Sequence, residues 1–148
     1  MNHAAFGAWS ELSEDGVAYQ EKMRGMVSTP VLFDTNILID YLRGIAQARA
    51  ECGRHSDRAV SIVSWMEVMT GSTAANEADA RSFLLNFYTL PLGADVAERA
   101  FLLCSSSKIK LPDAIVQATA EGAGRVLITR NPRDFAASTP GVRIPYTL

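Results

Sequence analysis

The chain has 148 residues, of which 48% are hydrophobic and 20% charged, and its formal net charge is −2. This length and composition are typical of one globular domain and exclude disordered, collagenous and repeat proteins. No apolar run approaches the ~18 residues of a membrane span, and the first ten residues lack the pattern of a secretory signal. The two cysteines, Cys52 and Cys104, form no paired framework. We therefore expect a cytoplasmic protein without a membrane partner.

The first 28 residues differ in composition from the rest, so we predict an N-terminal extension over 1–28 and one main domain over 29–148. The extension is polar and rich in small residues, with a single weak helical stretch at 17–26. Met23 and Met26 lie just before the first regular element, and either could be the natural start. The alternative is an N-terminal helix that packs on the domain through its few apolar side chains.

From residue 30 onwards, short apolar strands alternate with helical segments. The predicted strands are 31–33, 59–63, 90–92, 126–129 and 142–144. The predicted helices are 37–43, 45–55, 65–70, 77–88, 95–107 and 113–121. Ser64 is predicted to cap the third helix, and Gly44 to end the first. This alternation predicts an α/β fold, a three-layer α/β/α sandwich around a mostly parallel sheet of about five strands.

Four acidic residues follow or precede these strands at the same predicted edge of the sheet. Asp34 comes directly after the first strand, Glu67 lies in the helix after the second, Asp113 opens the helix before the fourth, and Asp134 follows that fourth strand. Functional groups gather at the carboxyl ends of parallel strands. Carboxylates brought together cannot all ionise cheaply unless a cation is present, and oxygen ligands favour Mg²⁺ or Mn²⁺.

Each acid taken alone also has an ordinary structural interpretation. Asp34 could cap the helix that follows it. Asp113 and Glu67 could sit in first helical turns, where the helix dipole favours a negative charge. Asp134 could be a turn residue. The metal-site hypothesis therefore depends on the four acids meeting at one edge.

Four segments resemble the sequence motifs of PIN domains, in particular those of VapC-type toxin ribonucleases. They are VLFDTNILIDYL at 31–42, SWMEVMTG at 64–71, LPDAIVQATA at 111–120 and TRNPRDF at 129–135. The resemblance covers about residues 29–148, with all four motifs in order. The extra N-terminal segment departs from the pattern, because such toxins usually begin just before the first strand.

The resemblance implies an endoribonuclease that uses Mg²⁺ or Mn²⁺ and an activated water to hydrolyse RNA. Asp34 and Asp113 would be the principal metal ligands, with Glu67 and Asp134 completing the site. The supporting polar residues implied are Thr35, Asn36, Thr129 and Asn131, and the candidate RNA contacts are Arg130 and Arg133.

The same resemblance implies a homodimer whose acidic groove is closed by a cognate antitoxin protein. Two other functions stay open at this point. One is a PIN-domain nuclease outside toxin systems, such as an RNA-processing or a repair nuclease, and the other is a catalytically inactive PIN-like binding module. The presence of all four acids argues against the second. A phosphotransfer protein is disfavoured because position 36, two residues after Asp34, is not an acid, and because no later strand ends in a catalytic lysine.

Overall fold

The computed structural model describes residues 26–131 and 140–148, and within these ranges the chain forms five strands and six helices. In chain order they are β1 (Val31–Phe33), α1 (Thr35–Leu42), α2 (Ala46–Arg54), β2 (Arg58–Ser61), α3 (Ile62–Thr70), α4 (Glu77–Leu84), β3 (Tyr88–Leu90), α5 (Ala94–Ser106), α6 (Leu111–Gly122), β4 (Val126–Ile128) and β5 (Val142–Arg143). Across these two ranges, none of the helices combines the length and apolar character needed to cross a membrane.

The five strands form one sheet in the order β3-β2-β1-β4-β5, and every pairing in it is parallel. From β1 the chain moves outward to β2 and β3, and then returns across the sheet to place β4 on the other side of β1. The strand order therefore reverses between β1 and β4. In open parallel sheets, such a reversal leaves a crevice at the carboxyl ends of the two strands.

The two faces of the sheet are covered by different helices, as the predicted three-layer fold requires. Val31 and Phe33 of β1 pack into the larger core, to which helices α1 to α4 contribute. Leu32 points to the opposite face and packs with Val116 of α6 and Leu127 of β4. Because consecutive side chains of a strand point to opposite faces, the all-apolar β1 indicates burial on both sides. The predicted α/β/α sandwich is confirmed.

The end of β2 differs from the prediction because Ser61, and not Ser64, caps the helix that follows. The Ser61 side chain accepts a hydrogen bond from the backbone N–H of Val63 at 3.0 Å. The strand therefore ends at Ser61 and Ile62 begins α3. Ser64 lies inside the helix and is fully buried.

Three further elements differ from the predicted bounds for local reasons. Helix α4 ends at Leu84 and not at residue 88, so Tyr88 begins β3 and pairs with Ala59 of β2. Strand β3 ends at Leu90, because the next residue, Pro91, has no N–H to donate to a ladder. Helix α1 begins at Thr35, two residues before the predicted start, because Asp34 caps it. Gly44 follows this helix with a φ of +82°, a conformation that favours glycine.

The predicted N-terminal extension lies outside the described residues except at its end. Val27 pairs with His55 through the backbone: its N–H donates to the carbonyl of Arg54 at 2.7 Å, and its carbonyl accepts from the N–H of Ser56 at 3.1 Å. Residues 26–28, which the sequence assigned to the extension, thus run beside the segment that joins α2 to β2.

Candidate active site

Asp34 lies at the point where β1 ends, next to the reversal of strand order. Its backbone N–H donates to the carbonyl of Ile128 in β4 at 2.8 Å. Its Oδ1 accepts the backbone N–H of Thr35 at 2.7 Å and so caps α1. Only 6% of the residue is exposed. The structural interpretation of this acid as a helix cap is therefore correct, but it accounts for only one of its two oxygens.

The second carboxylate oxygen of Asp34 is held by two polar side chains that the sequence analysis had named. The Thr129 hydroxyl donates to Oδ2 at 2.9 Å, and the Asn36 amide nitrogen lies 3.3 Å from the same atom. This amide nitrogen also lies 3.2 Å from the Thr129 hydroxyl oxygen. Residues from the ends of β1 and β4 thus meet where the strand order reverses, although 95 positions separate Asp34 from Thr129.

Glu67 is joined to this group through Thr35. The Thr35 hydroxyl oxygen lies 2.7 Å from Glu67 Oε1 and 2.8 Å from the Ser64 hydroxyl oxygen. Because a carboxylate can only accept, the Thr35 proton points to Glu67, which leaves Ser64 as the donor to Thr35. Glu67 is the sixth residue of α3, beyond the first turn, so the helix dipole does not explain its presence.

Asp113 approaches the same edge of the sheet from the other helical layer. It is the third residue of α6, directly after Pro112, and it is partly exposed. Helix α6 ends four residues before β4 begins, at the edge where the strands start. Its 12 residues span about 18 Å, which carries its first turn back toward the edge where the strands end.

The remaining predicted acid, Asp134, lies outside the described residues, as does Arg133. Within residues 26–131 and 140–148, no three His, Cys, Asp or Glu side chains are placed so that they could hold a metal ion. The described part of the chain thus brings Asp34 and Glu67 together through Thr35, and places Asp113 on a separate helix.

Arg130, one of the candidate RNA contacts, has its guanidinium engaged with the buried carboxylate of Asp40. Arg130 Nε lies 2.5 Å from Asp40 Oδ2, and its Nη2 lies 3.1 Å from Oδ1. The Tyr146 hydroxyl donates to the same Oδ2 at 2.9 Å. The hydrogen bonds that Arg130 donates to Asp40 raise the pKa of Arg130, while burial opposes this rise and the nearby Asp34 adds to it.

Three residues of this region were missed by the sequence analysis, namely Asp40, Ser64 and Tyr146. Asp40 had a detectable signal, because a charge within the apolar stretch of α1 needs a buried partner. The sequence predicts only a helix cap at Ser64. Tyr146 had no signal, since it lies 106 positions from the carboxylate that it contacts.

Asn131 completes the turn after β4. Its backbone N–H donates to the Thr129 hydroxyl oxygen at 3.2 Å, while the N–H of Arg130 donates to the Asn36 side-chain oxygen at 3.3 Å. All four of the predicted supporting residues therefore lie in one hydrogen-bonded network around Asp34.

A groove of about 340 Å³ extends from Glu67 between α1, α3 and α4. Apolar side chains such as Ile39 and Leu42 form part of its wall, and the charged residues Arg43 and Asp79 lie along it. Glu67 is itself one of the lining residues, so the groove borders the acidic group.

Comparisons with known proteins identify the family and support the fold. The family model described as the PIN domain matches residues 31–138. A chain of a toxin–antitoxin complex from Klebsiella pneumoniae is 43% identical, over 80% of this chain and 99% of that one, with a TM-score of 0.74. The ribonuclease VapC10 of Mycobacterium tuberculosis is 29% identical over 109 residues, which are 68% of this chain and 82% of that protein.

A more distant structure shares the fold. The FitAcB structure from Neisseria gonorrhoeae is 23% identical to this chain and covers 80% of it, with a TM-score of 0.68. At this identity the likeness concerns the arrangement of helices and strands alone. It supports the topology described above independently of the sequence motifs.

Proposed function

The chain belongs to the PIN-domain family, and from this membership we propose that it is an endoribonuclease that hydrolyses RNA with Mg²⁺ or Mn²⁺ and serves as the toxin of a toxin–antitoxin pair. Two relatives support the proposal. One is a ribonuclease, and the other, at 43% identity, is a chain of a toxin–antitoxin complex.

The observation that carries the proposal is the way in which Asp34 is held. A carboxylate that served only as a helix cap would need one oxygen. Here the second oxygen, at the carboxyl end of a central strand, is oriented by Thr129 and Asn36. Buried polar partners that fix a carboxylate in this way are typical of metal ligands, whose orientation sets the strength of the site.

The chemistry of the donor set fits a hard divalent cation. The acids and their neighbours offer oxygen donors, as Mg²⁺ and Mn²⁺ prefer. The sulfur of Cys52 is buried in the larger core, and His55 is bonded to Glu51, so neither serves this edge. Asp34 and Asp113 would hold the cation, with Glu67 and Asp134 completing the site. When bound, the cation would lower the pKa of a water and neutralise charge on the phosphate.

The chain's own residues would orient and restrict these groups. Thr129 and Asn36 keep one oxygen of Asp34 at a fixed angle, and Thr35 ties Glu67 to the start of α1. Ser64 and Glu67 both belong to α3, so a movement of α3 relative to α1 would break both of the contacts that Thr35 makes with them. The RNA strand would run along the groove beside Glu67, where Arg43 offers a positive charge for a phosphate.

The antitoxin would use the same groove and so block the RNA. A basic segment of that partner would be attracted to the acidic group by charge complementarity. The apolar part of the groove wall would add contacts that an RNA backbone does not make. We also propose a homodimer in the cytoplasm, supported by the exposed Phe101, Leu102 and Leu111 of α5 and α6, since such apolar side chains on one layer mark an interaction surface.

The experiment is incubation of the purified protein with total RNA in Mg²⁺, in Mn²⁺ and in EDTA, followed by mapping of the cut ends. We expect cleavage only with the metals, and ends carrying a 5′-phosphate and a 3′-hydroxyl, because water is the attacking group. Cyclic phosphate ends or full activity in EDTA would contradict the proposed reaction. Cleavage without inhibition by the product of a neighbouring gene would favour a processing nuclease, and binding of RNA without cleavage would favour an inactive module.

A further inference from the structure

We propose that Asp40 is a positioning residue of this site: its forked ion pair with Arg130 holds the turn after β4, so that Thr129 stays directed at Asp34. The inference rests on the proposed function, because it treats Asp34 as a metal ligand. It concerns a residue that touches neither the metal nor the RNA, and it assigns to the Arg130 side chain a task other than RNA contact.

The pair between Asp40 and Arg130 is built to fix an orientation. Asp40 is 1% exposed, and both of its oxygens accept from the Arg130 guanidinium. Two parallel hydrogen bonds between planar groups determine both distance and angle. The Tyr146 hydroxyl occupies Oδ2 as a further donor and keeps the carboxylate from turning. Asp40 belongs to α1, the helix that Asp34 caps.

The orientation reaches Asp34 through the backbone. Arg130 stands between Thr129 and Asn131 in the turn that leaves β4. Its N–H donates to the Asn36 side-chain oxygen, while the amide nitrogen of Asn36 lies within hydrogen-bonding distance of Asp34 and Thr129. The turn is thus attached to α1 at two positions. Its backbone contacts Asn36 near the site, and the Arg130 guanidinium contacts Asp40 one helical turn further along.

The charge of Arg130 gives a second reason for a dedicated partner. The hydrogen bond to Asp40 is the main cause of the raised pKa of Arg130, and the negative charge of Asp34 adds to this rise, so the guanidinium also interacts with Asp34. The carboxylate of Asp40 neutralises that cation locally. Without the negative charge of Asp40, the Arg130 guanidinium would act on Asp34 and compete with a metal for it. Both effects predict weaker metal binding when Asp40 loses its charge.

A matched control exists elsewhere in the molecule. Glu51 of α2 is 5% exposed and accepts a forked pair from Arg143, with Nε at 2.8 Å and Nη2 at 3.1 Å. It has two further partners, since His55 Nε2 lies 2.8 Å from Oε2 and Arg54 Nη1 lies 3.5 Å from Oε1. Glu51 therefore repeats the chemistry of Asp40, but the side chains of its partners make no hydrogen bond to the site. Arg143 reaches the site only through its backbone carbonyl, which accepts from the N–H of Thr129 at 3.0 Å.

The experiment is calorimetric titration of Mn²⁺ into the full-length wild type, Asp40→Asn and Glu51→Gln, with the folded fraction of each measured by circular dichroism. We expect Asp40→Asn to bind Mn²⁺ at least about tenfold more weakly, in line with the usual effect of removing a group that orients a metal ligand. Glu51→Gln should bind as the wild type does once its folded fraction is taken into account. RNA cleavage by Asp40→Asn should recover at high Mn²⁺ concentration.

Wild-type affinity in Asp40→Asn, or an equal loss of affinity in Glu51→Gln, would overturn the inference while leaving the proposed function intact. If Asp40→Asn does not fold, Arg130→Lys decides, since it keeps the charge but loses the fork. This variant should also bind Mn²⁺ more weakly, and wild-type affinity in it would overturn the inference. If the wild type itself binds no Mn²⁺ and cuts no RNA, the proposed function fails and this inference fails with it.

Discussion

A single carboxylate can serve the fold and the site at once when its two oxygens have different partners. Asp34 uses Oδ1 to cap α1 and presents Oδ2 to Thr129 and Asn36. Replacement of Asp34 would therefore disturb stability and activity together, and no variant at this position separates them. Asp113, which does not begin its helix, offers a cleaner separation.

The variant Asp113→Asn should lose nearly all RNA cleavage and most of the stabilisation by Mg²⁺, because a ligand that binds only the folded state stabilises it in proportion to its affinity. Melting curves with and without Mg²⁺, together with a cleavage assay, measure both effects. Asp95→Asn is the matched control, since Asp95 is the first-turn acid of α5. It should cost less than about 1 kcal/mol and leave cleavage intact. If both variants kept RNA cleavage and stabilisation by Mg²⁺, the only role of Asp113 would be its favourable interaction with the helix dipole.

The buried side chain of Glu51 makes the stability of the fold sensitive to acid. Burial alone would raise the pKa of Glu51, but its hydrogen bonds with His55 and Arg143 outweigh this and lower the pKa to about 2. Because the folded-state pKa lies below the ordinary value of 4.5, the stability that Glu51 contributes is present above pH 4.5. It is lost as the pH falls from 4.5 toward 2.

The difference in unfolding free energy between the wild type and Glu51→Gln should therefore be largest at pH 5 to 7, on the order of 3 kcal/mol, and should shrink between pH 4.5 and 2. Denaturant titrations at several pH values measure it. Glu77→Gln provides the comparison, because Glu77 pairs with Arg81 on the surface. That exposed pair should contribute less than about 0.5 kcal/mol at any pH. A constant difference for Glu51→Gln across the range would contradict the lowered pKa.

At the level of the site, the sequence predicts the polar residues that directly follow a strand, but it does not predict contacts between residues that lie far apart in the chain and away from strand ends. Thr35, Asn36 and Thr129 follow strands directly, so the parallel topology alone brings them to Asp34. The pair of Asp40 with Arg130 spans 90 positions. Nothing local distinguishes that arginine from one on the surface, and only the packing of the carboxyl-terminal segment on α1 identifies its partner.

Among the secondary structure elements, the junction of β2 and α3 shows how a boundary is decided. Ile62 and Val63 favour a strand by their β-branched side chains. The Ser61 hydroxyl caps the helix instead, and it satisfies an N–H that would otherwise lack a partner. Strand and helix content were predictable from apolar periodicity. Which of the two serines caps α3 depends instead on where the pairing of β2 with its neighbouring strands ends, at Ser61.

The variant Ser61→Ala should lower the free energy of unfolding by about 1 kcal/mol, because it removes this helix cap. Denaturant unfolding measures the change. Lys110→Ala is a suitable control, since Lys110 precedes α6 without a side-chain capping bond and should have almost no effect. A neutral result for Ser61→Ala would mean that another group caps α3. Because Glu67 belongs to α3, cleavage by Ser61→Ala should be more sensitive to temperature than that of the control.

For the molecule as a whole, the amino-terminal boundary can be tested by shortening the chain. A protein that starts at Met26 keeps both backbone hydrogen bonds of Val27 and should melt at the wild-type temperature and cut RNA equally well. A protein that starts at Pro30 loses these two bonds and should be less stable by about 1 to 2 kcal/mol. A large fall in melting temperature for the Met26 protein would show that residues 1–25 pack on the domain.

The reversal of strand order has a consequence for how the protein is made. Asp34 leaves the ribosome early, but Thr129 is added 95 residues later, and Tyr146, which contacts Asp40, almost at the end. At translation rates of about 5 to 20 residues per second, the interval between the first two is about 5 to 19 s. The β1–β4 pairing cannot form before then. A nuclease built in this order stays incomplete throughout its own synthesis, which gives an inhibitor made beforehand time to meet each chain as it folds.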